Sequence, residues 1–256
     1  MSKEFSIEEV EVARVKILEN ATELITESEL LLTNGRYARA YTLAHLACEE
    51  LSKIAMIVNS MAENIVYGDT NWKKLNDRLV RHKEKFKSVI ITKMDKVERF
   101  IKLLNIKPEQ LEEKLNNLKN ESLYAGRYKN GEYCKPSEVI TEVIASHMLD
   151  LAKDYYNYYG SKEESLKGNL FQLESNQDYQ NFYKEIMDLV KLYPMEGYVA
   201  IEEYERKGLE DIEELKKLIL MSIYIRNINI KEKDVLRMMR EVGVQYNHDQ
   251  KNEEER

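Results

Sequence analysis

Arg78 and His82 stand four residues apart in the stretch NDRLVRHKEKF, with Arg81, Lys83 and Lys85 beside them. On a continuous helix that spacing puts guanidinium and imidazole on one face. Imidazole titrates near neutral pH and can move the proton of an RNA 2′-OH or of the leaving oxygen, while arginine stays charged and holds a phosphate through paired hydrogen bonds. The 2′-OH supplies the nucleophile, so the protein has only to position it, stabilise phosphate charge and transfer protons. DNA lacks that hydroxyl. One Arg–His pair supplies too few groups for both acid and base, and two copies meeting across a two-fold axis would supply the rest. The same spacing suits an accidental pair on a solvated basic surface, and the residues alone leave both readings open.

The distribution of charge sharpens this. The 256 residues carry 46 acids against 39 bases, a net −7. Residues 1–70 amount to −6, residues 71–102 to +7, residues 103–160 to −2 and residues 161–256 to −6. A basic island on an acidic chain creates a local potential that attracts phosphate although the whole molecule repels it. It equally describes a solvated face paired with acids elsewhere.

Other groups are weaker signals. His45 lies among Ala44, Leu46 and Ala47, the setting of a satisfied core histidine, and Arg39, six residues earlier, falls on a different helical face. Glu49, Glu50 and Lys53 read as an ordinary i,i+3 or i,i+4 pair, or as a carboxylate turned inward to orient His82 or an arginine. His147 has no evident partner and reads as structural. Tyr124, Tyr128 and Tyr133 lie on a connection where stacking on bases is feasible, although packing is the commoner use of tyrosine. Cys48 and Cys134 form no C-x-x-C pair and the four histidines are scattered, so no metal or cofactor is expected. With two distant cysteines, no signal-like start and no apolar run near the ~20 residues of a membrane span, the expectation is a cytoplasmic protein with no membrane partner.

These residues need helices to position them. Nine Gly and three Pro in the whole chain disfavour turn-dense all-β folds. Ser6 and Glu9 make a capping box that opens a first helix running to Asn34-Gly35, and a second carries the stripe from Tyr37 to Val58. A third segment, Trp72 to about Leu104, contains the basic island, with a break expected near Thr92 or Asp95. Pro108 suits the first turn of a shorter helix, and GRYKNGEYCKP, residues 126–136, reads as an irregular connection or small hairpin turning at Asn130-Gly131. Ser137 and Glu138 open a further helix whose Val139, Val143, Ile144, Met148, Leu151 and Ala152 face a core. Polar residues 161–176 read as a linker, followed by helices near 179–192, 196–207, 209–226 and 231–242. The expected organisation is therefore a helical domain over residues 1–160, a helical extension over 161–245 and a disordered tail over 246–256.

Three stretches in this order, AYTLAHLACEELSKIAMI, RLVRHKEKF and LKNESLYAGRYKNGEYCKPSEVI, resemble the AbiV family of abortive infection proteins, whose fold belongs to the HEPN superfamily. The likeness covers about residues 5–160 and rests on Ala47 to Lys53 as A-x-E-E-x-x-K, on His82-Lys83, and on Leu123, Tyr124, Gly131 and Pro136. It implies an all-α, HEPN-like bundle that dimerises, phage defence in a bacterium, shutdown of translation or growth, and RNA (tRNA, rRNA or mRNA) as target. It further implies a toxin held silent until a phage product is sensed. Superfamily nucleases carry R-x4–6-H. Arg78 and His82 have three residues between them, one short of that pattern, whereas Arg39 and His45 fit it formally in an apolar neighbourhood.

The expected assignment is a homodimeric, metal-independent ribonuclease. His82 acts as acid and base, Arg78 and Arg81 hold phosphate with Lys83 and Lys85, and Glu49, Glu50, Lys53 and Tyr124 give support. The alternative is a non-catalytic defence protein that blocks translation by binding the ribosome, RNA or a phage protein. A third arrangement has the acidic extension covering the basic helix.

Overall fold

Helix α1, Ile7–Thr33, begins where the sequence places it. Ser6 Oγ accepts from the Glu9 backbone N–H at 3.2 Å, and the Ser6 backbone N–H donates to Glu9 Oε2 at 3.0 Å. Its end is a left-handed cap: Gly35 has φ +68, the Arg36 N–H reaches Leu31 O at 2.8 Å, and the Gly35 N–H reaches Leu32 O at 3.0 Å. That tight reversal sends α2, Tyr37–Tyr67, back along α1. Ser28 Oγ donates to Ala40 O (2.8 Å) near the turn, and Asn20 Nδ2 to Glu50 Oε2 (3.0 Å) farther along, so the two run antiparallel. Small residues at Ala38, Ala40, Ala44, Ala47 and Cys48, all buried, let neighbours approach α2 closely.

The computed structural model describes residues 4–81, 85–86, 89, 94–127, 131–160, 168–192, 200 and 218–219. After α2 come α3 (Trp72–Val80), α4 (Met94–Leu104), a 3₁₀ turn (Pro108–Gln110), α5 (Leu111–Leu123), strands β1 (Gly126–Arg127) and β2 (Tyr133–Cys134), α6 (Pro136–Val139), α7 (Glu142–Gly160), α8 (Asn169–Ser175) and α9 (Gln177–Leu192). The architecture is all-α. Helix α2 is its centre, packed by α1, α3, α5, α7 and α8. Tyr41, Leu51, Ile54, Phe100, Leu115, Met148, Leu151 and Tyr155 are fully buried in the shared core. Tyr41 Oη donates to Leu115 O at 3.2 Å, which satisfies a buried hydroxyl and an α5 carbonyl together. The hairpin is real: β1 and β2 pair antiparallel, with Gly126 opposite Cys134 and Arg127 opposite Tyr133, and Gly131 has φ +86.

Three expectations need correction. Helix α3 stops at Val80, earlier than the break expected near Thr92 or Asp95. The Arg81 N–H closes the last turn on Arg78 O at 3.1 Å, and an extended backbone at Arg81 (φ −82, ψ 116) carries the chain out of the helix. The helix expected from Ser137 is two helices, because Ile140 is extended (ψ 110) and buried. That interruption resets the phase, and Val143, expected in the core, is 50% exposed. The polar stretch 161–176, expected as a linker, includes α8, which follows the left-handed Gly168 and packs on α2 with Leu170 and Leu173 buried. The chain divides into compact units at residues 1–180 and 181–256. Helix α9 matches the helix expected near 179–192. Apart from Ala200, Leu218 and Ile219, which are helical, the later expected helices and the 246–256 tail lie outside the described residues.

Among the described residues, no helix is long and apolar enough to cross a membrane.

Candidate functional site

The proposed site residues fall into two groups with opposite surroundings. The first lies on α3. Asn71 caps this helix by accepting from the Lys74 N–H at 2.9 Å, and Trp72 and Leu75 bury one side of it, Trp72 against Phe5 with ring centres 5.7 Å apart. Anchoring that side turns the other outward. Lys73, Lys74 and Arg81 are exposed and Arg78 is half-buried. With Asn71 and Asp77 they line an open concavity of about 510 Å³. Among the described residues the lining is predominantly cationic, the kind of surface that attracts phosphate, and arginine is able to grip a phosphate bidentately.

The extended backbone at Arg81 removes the premise that put Arg78 and residue 82 on one helical face. The i,i+4 register does not continue past Val80. His82 and Lys83, the expected acid/base and second phosphate contact, lie outside the described residues, as does Tyr128.

The second group is buried around Glu49 on α2. Glu49 Oε1 accepts from Lys119 Nζ of α5 at 2.9 Å and lies 3.3 Å from His45 Nε2 one turn earlier. All three side chains are at most 6% exposed. His45 stacks on Phe86 with centroids 4.6 Å apart and planes 25° apart, and the Tyr41 ring centre lies 5.9 Å from its own. It is the core histidine its apolar neighbours suggested. Arg39, by contrast, faces solvent and donates to Leu123 O at 3.4 Å, so it and His45 are on different faces. Of the two consecutive glutamates, Glu49 turns inward, while Glu50 pairs with Lys53 and accepts from Asn20.

Lys85 belongs to this buried group and not to the basic surface where it was expected. It is 6% exposed. Burial chiefly, then the like charges of Lys53 and Lys119, hold its ammonium below the ordinary lysine range, with Glu49 and Glu50 opposing the shift. Residue type and local charge gave no warning of this, because burial is a tertiary property. Tyr124 caps α5 in extended conformation and stands 68% exposed, away from both groups in character. His147 is held by its own helix, Nδ1 against Val143 O at 2.9 Å, with its ring edge-on to Phe100.

The sequence reading missed Lys119 as the main partner of Glu49. Its signal was present: Leu111, Leu115, Leu118 and Ser122 define the buried face of α5, and Lys119 falls on it. A lysine on an apolar face asks for a buried anion.

The family model HEPN_AbiV, described as AbiV, matches residues 9–157, which contain nearly all of α1, the whole of α2 to α6, most of α7 and both groups of site residues. No curated protein and no solved structure matches the chain. The matched span exceeds half the chain and includes the A-x-E-E-x-x-K stretch whose Glu49 organises the buried cluster. The chain belongs to the AbiV family, and is thus an abortive-infection protein of HEPN type.

Proposed function

We propose that this protein shuts down translation during phage infection as a homodimeric, metal-independent endoribonuclease in the cytoplasm, released by a phage product. The observation that carries this is the α3 concavity, where Lys73, Lys74, Arg78 and Arg81 gather with Asp77 on a chain of net charge −7. Arg78 and Arg81 hold a backbone phosphate of tRNA, rRNA or mRNA. A histidine takes the 2′-OH proton as the 2′-oxygen attacks phosphorus, the bond to the 5′-oxygen breaks, and that oxygen receives a proton. A 2′,3′-cyclic phosphate and a 5′-OH result. His82 of one copy is the base and His82 of the second the acid, with Lys83 neutralising phosphate charge.

Purified wild type and His82→Ala, incubated with tRNA and rRNA in EDTA, test the assignment. Cleavage by wild type alone, leaving cyclic phosphate ends, is expected. Equal cleavage by both removes His82 from the chemistry.

The extended backbone at Arg81 favours a second reading, in which the protein binds ribosome, RNA or a phage protein without cutting. Protection of cells against phage then survives His82→Ala and fails when the α3 cations are neutralised.

A further inference from the structure

The β1–β2 hairpin turns a tyrosine outward between two cations. Gly126 pairs with Cys134 and Arg127 with Tyr133, so alternation along the strands puts Arg127 and Tyr133 on one face and Gly126 and Cys134 on the other. Exposure agrees. Gly126 and Cys134 are half-buried, whereas Arg127, Tyr133 and, two residues on, Lys135 are exposed. At 78%, Tyr133 is more exposed than any other large apolar side chain among the described residues. Directly opposed residues of an antiparallel pair have Cβ atoms about 5 Å apart, so the Arg127 side chain starts beside the ring.

Arg127 is fixed there. Its Nε donates to Gly131 O at 3.0 Å, which ties the guanidinium to a turn that Gly131 makes with φ +86, and this bond uses one of its five donors. Lys135 Nζ lies 3.8 Å from Glu138 Oε1, with side chains 66% and 52% exposed, a pair weak enough for a phosphate to replace. An aromatic ring offered to water with cations beside it suits an unpaired nucleobase and its adjoining phosphates, because every base has a face that stacks. A protein partner asks for more surface. A stable protein interface takes about 800 Å² from each side, far beyond a hairpin of two-residue strands, while one base covers one ring.

We propose that this face stacks an unpaired base of RNA on Tyr133 while Arg127 and Lys135 hold the neighbouring phosphates. The proposal rests on the reading that the protein takes RNA, and it adds a contact remote from α3. Arg39, at the start of α2, donates to Leu123 O just before the hairpin, whereas α3 follows the end of α2. At 1.5 Å per residue, roughly 40 Å of helix separates the two ends. A short fragment does not reach both on one chain. The substrate class is therefore a long or folded RNA with an unpaired segment, the form in which bases are open to stacking.

The affinity of the full chain for a single-stranded 2′-O-methyl RNA oligonucleotide, which has no 2′-OH to attack, is measured by fluorescence anisotropy for wild type, Tyr133→Ala and Tyr133→Phe. Tyr133→Ala is expected to bind about tenfold more weakly, and Tyr133→Phe, which keeps the ring, like wild type. Because residue 133 is exposed, all three should melt within about two degrees of one another. An oligomer of the same length made of abasic units should bind wild type and Tyr133→Ala equally, since its phosphates remain and the stacking base is gone. The proposal is overturned if Tyr133→Ala binds the oligonucleotide like wild type, if Tyr133→Phe loses as much as Tyr133→Ala, or if the abasic oligomer shows the same loss. Failure of the RNA reading looks different: wild type then binds no oligonucleotide, and the hairpin contact falls with it. Binding that responds to Gln at Lys73, Lys74, Arg78 and Arg81 but not to Tyr133→Ala removes the hairpin alone. If Tyr133→Ala binds RNA like wild type yet no longer protects cells from phage, the face belongs to a protein partner and the proposal is wrong.

Discussion

Beside Glu49, Lys119 is sealed against a carboxylate between α5 and α2, whereas on α3 lysines and arginines line an open concavity beside Asp77. The residue types are nearly the same and the energetics are opposed. A buried ammonium has lost its water, and only a fixed partner at short range offsets that loss. An α3 cation keeps much of its hydration, contributes little to stability, and exchanges counter-ions for an incoming phosphate. One group therefore holds the bundle together and the other is suited to binding, and substitutions in each should be read out by different measurements.

The sharpest way to break this contrast is Glu49→Ala. It leaves Lys119, His45 and Lys85 without their nearest shared anion, and removing one partner of a buried pair costs about 3–5 kcal/mol. At ~2–4 °C per kcal/mol for a chain of this size, calorimetry should show the melting temperature falling by on the order of 10 °C. A fall of no more than a degree or two would mean that the buried pairs contribute nothing net.

Changing Lys73, Lys74, Arg78 and Arg81 together to Gln should do the reverse. Surface substitutions of this kind each stay within about ±0.5 kcal/mol of stability. Affinity for single-stranded RNA should drop about tenfold or more at low salt, on the order of 1.4 kcal/mol per tenfold. The slope of log affinity against log salt should flatten by roughly 0.7 for each phosphate that the protein no longer neutralises. An unchanged slope in filter-binding titrations would take α3 out of the RNA interface.

The same contrast marks what a sequence can disclose. Ser6 with Glu9, Asn34-Gly35 and the Gly131 turn act through bonds among near neighbours, and each was legible in advance. The end of α3 was not. Leu75, Leu79 and Phe86 continue an apolar pattern across Arg81 with no Gly or Pro to interrupt it, so periodicity alone carries the helix through. Arg14, Ser28, Lys119 and Ser122 are polar residues in buried stripes, invisible to a search for apolar spacing. Ser28 is placed by Ala40 O, and Ser122 by Thr42 across from α2 at 2.6 Å, partners 12 and 80 residues away. For the candidate site, the exposure of Lys73, Lys74 and Arg81 was legible in the charge segregation, because exposure is the default for lysine and arginine. The same default misplaced Lys85, whose burial depends on which helices close over it.

Lys85 also yields the smallest and most diagnostic effect. Because burial and the neighbouring ammoniums hold its folded-state value below the ordinary 10.5, the folded chain releases this proton at lower pH than the unfolded chain does. Between the two values the unfolded state binds more protons, so this group makes stability rise with pH across the window and level off above 10.5. Tyr41 and Cys48 act in the opposite sense: burial raises both, and each favours unfolding as pH climbs past its ordinary value. Urea unfolding of wild type and Lys85→Met over one pH series cancels the contributions of Tyr41 and Cys48, which both proteins share. The stability of wild type relative to Lys85→Met should climb as pH approaches 10.5 from below. A difference that fell over that range would show Glu49 and Glu50 to be holding the ammonium charged, and Lys85 would then be a third member of the structural pairs around α2.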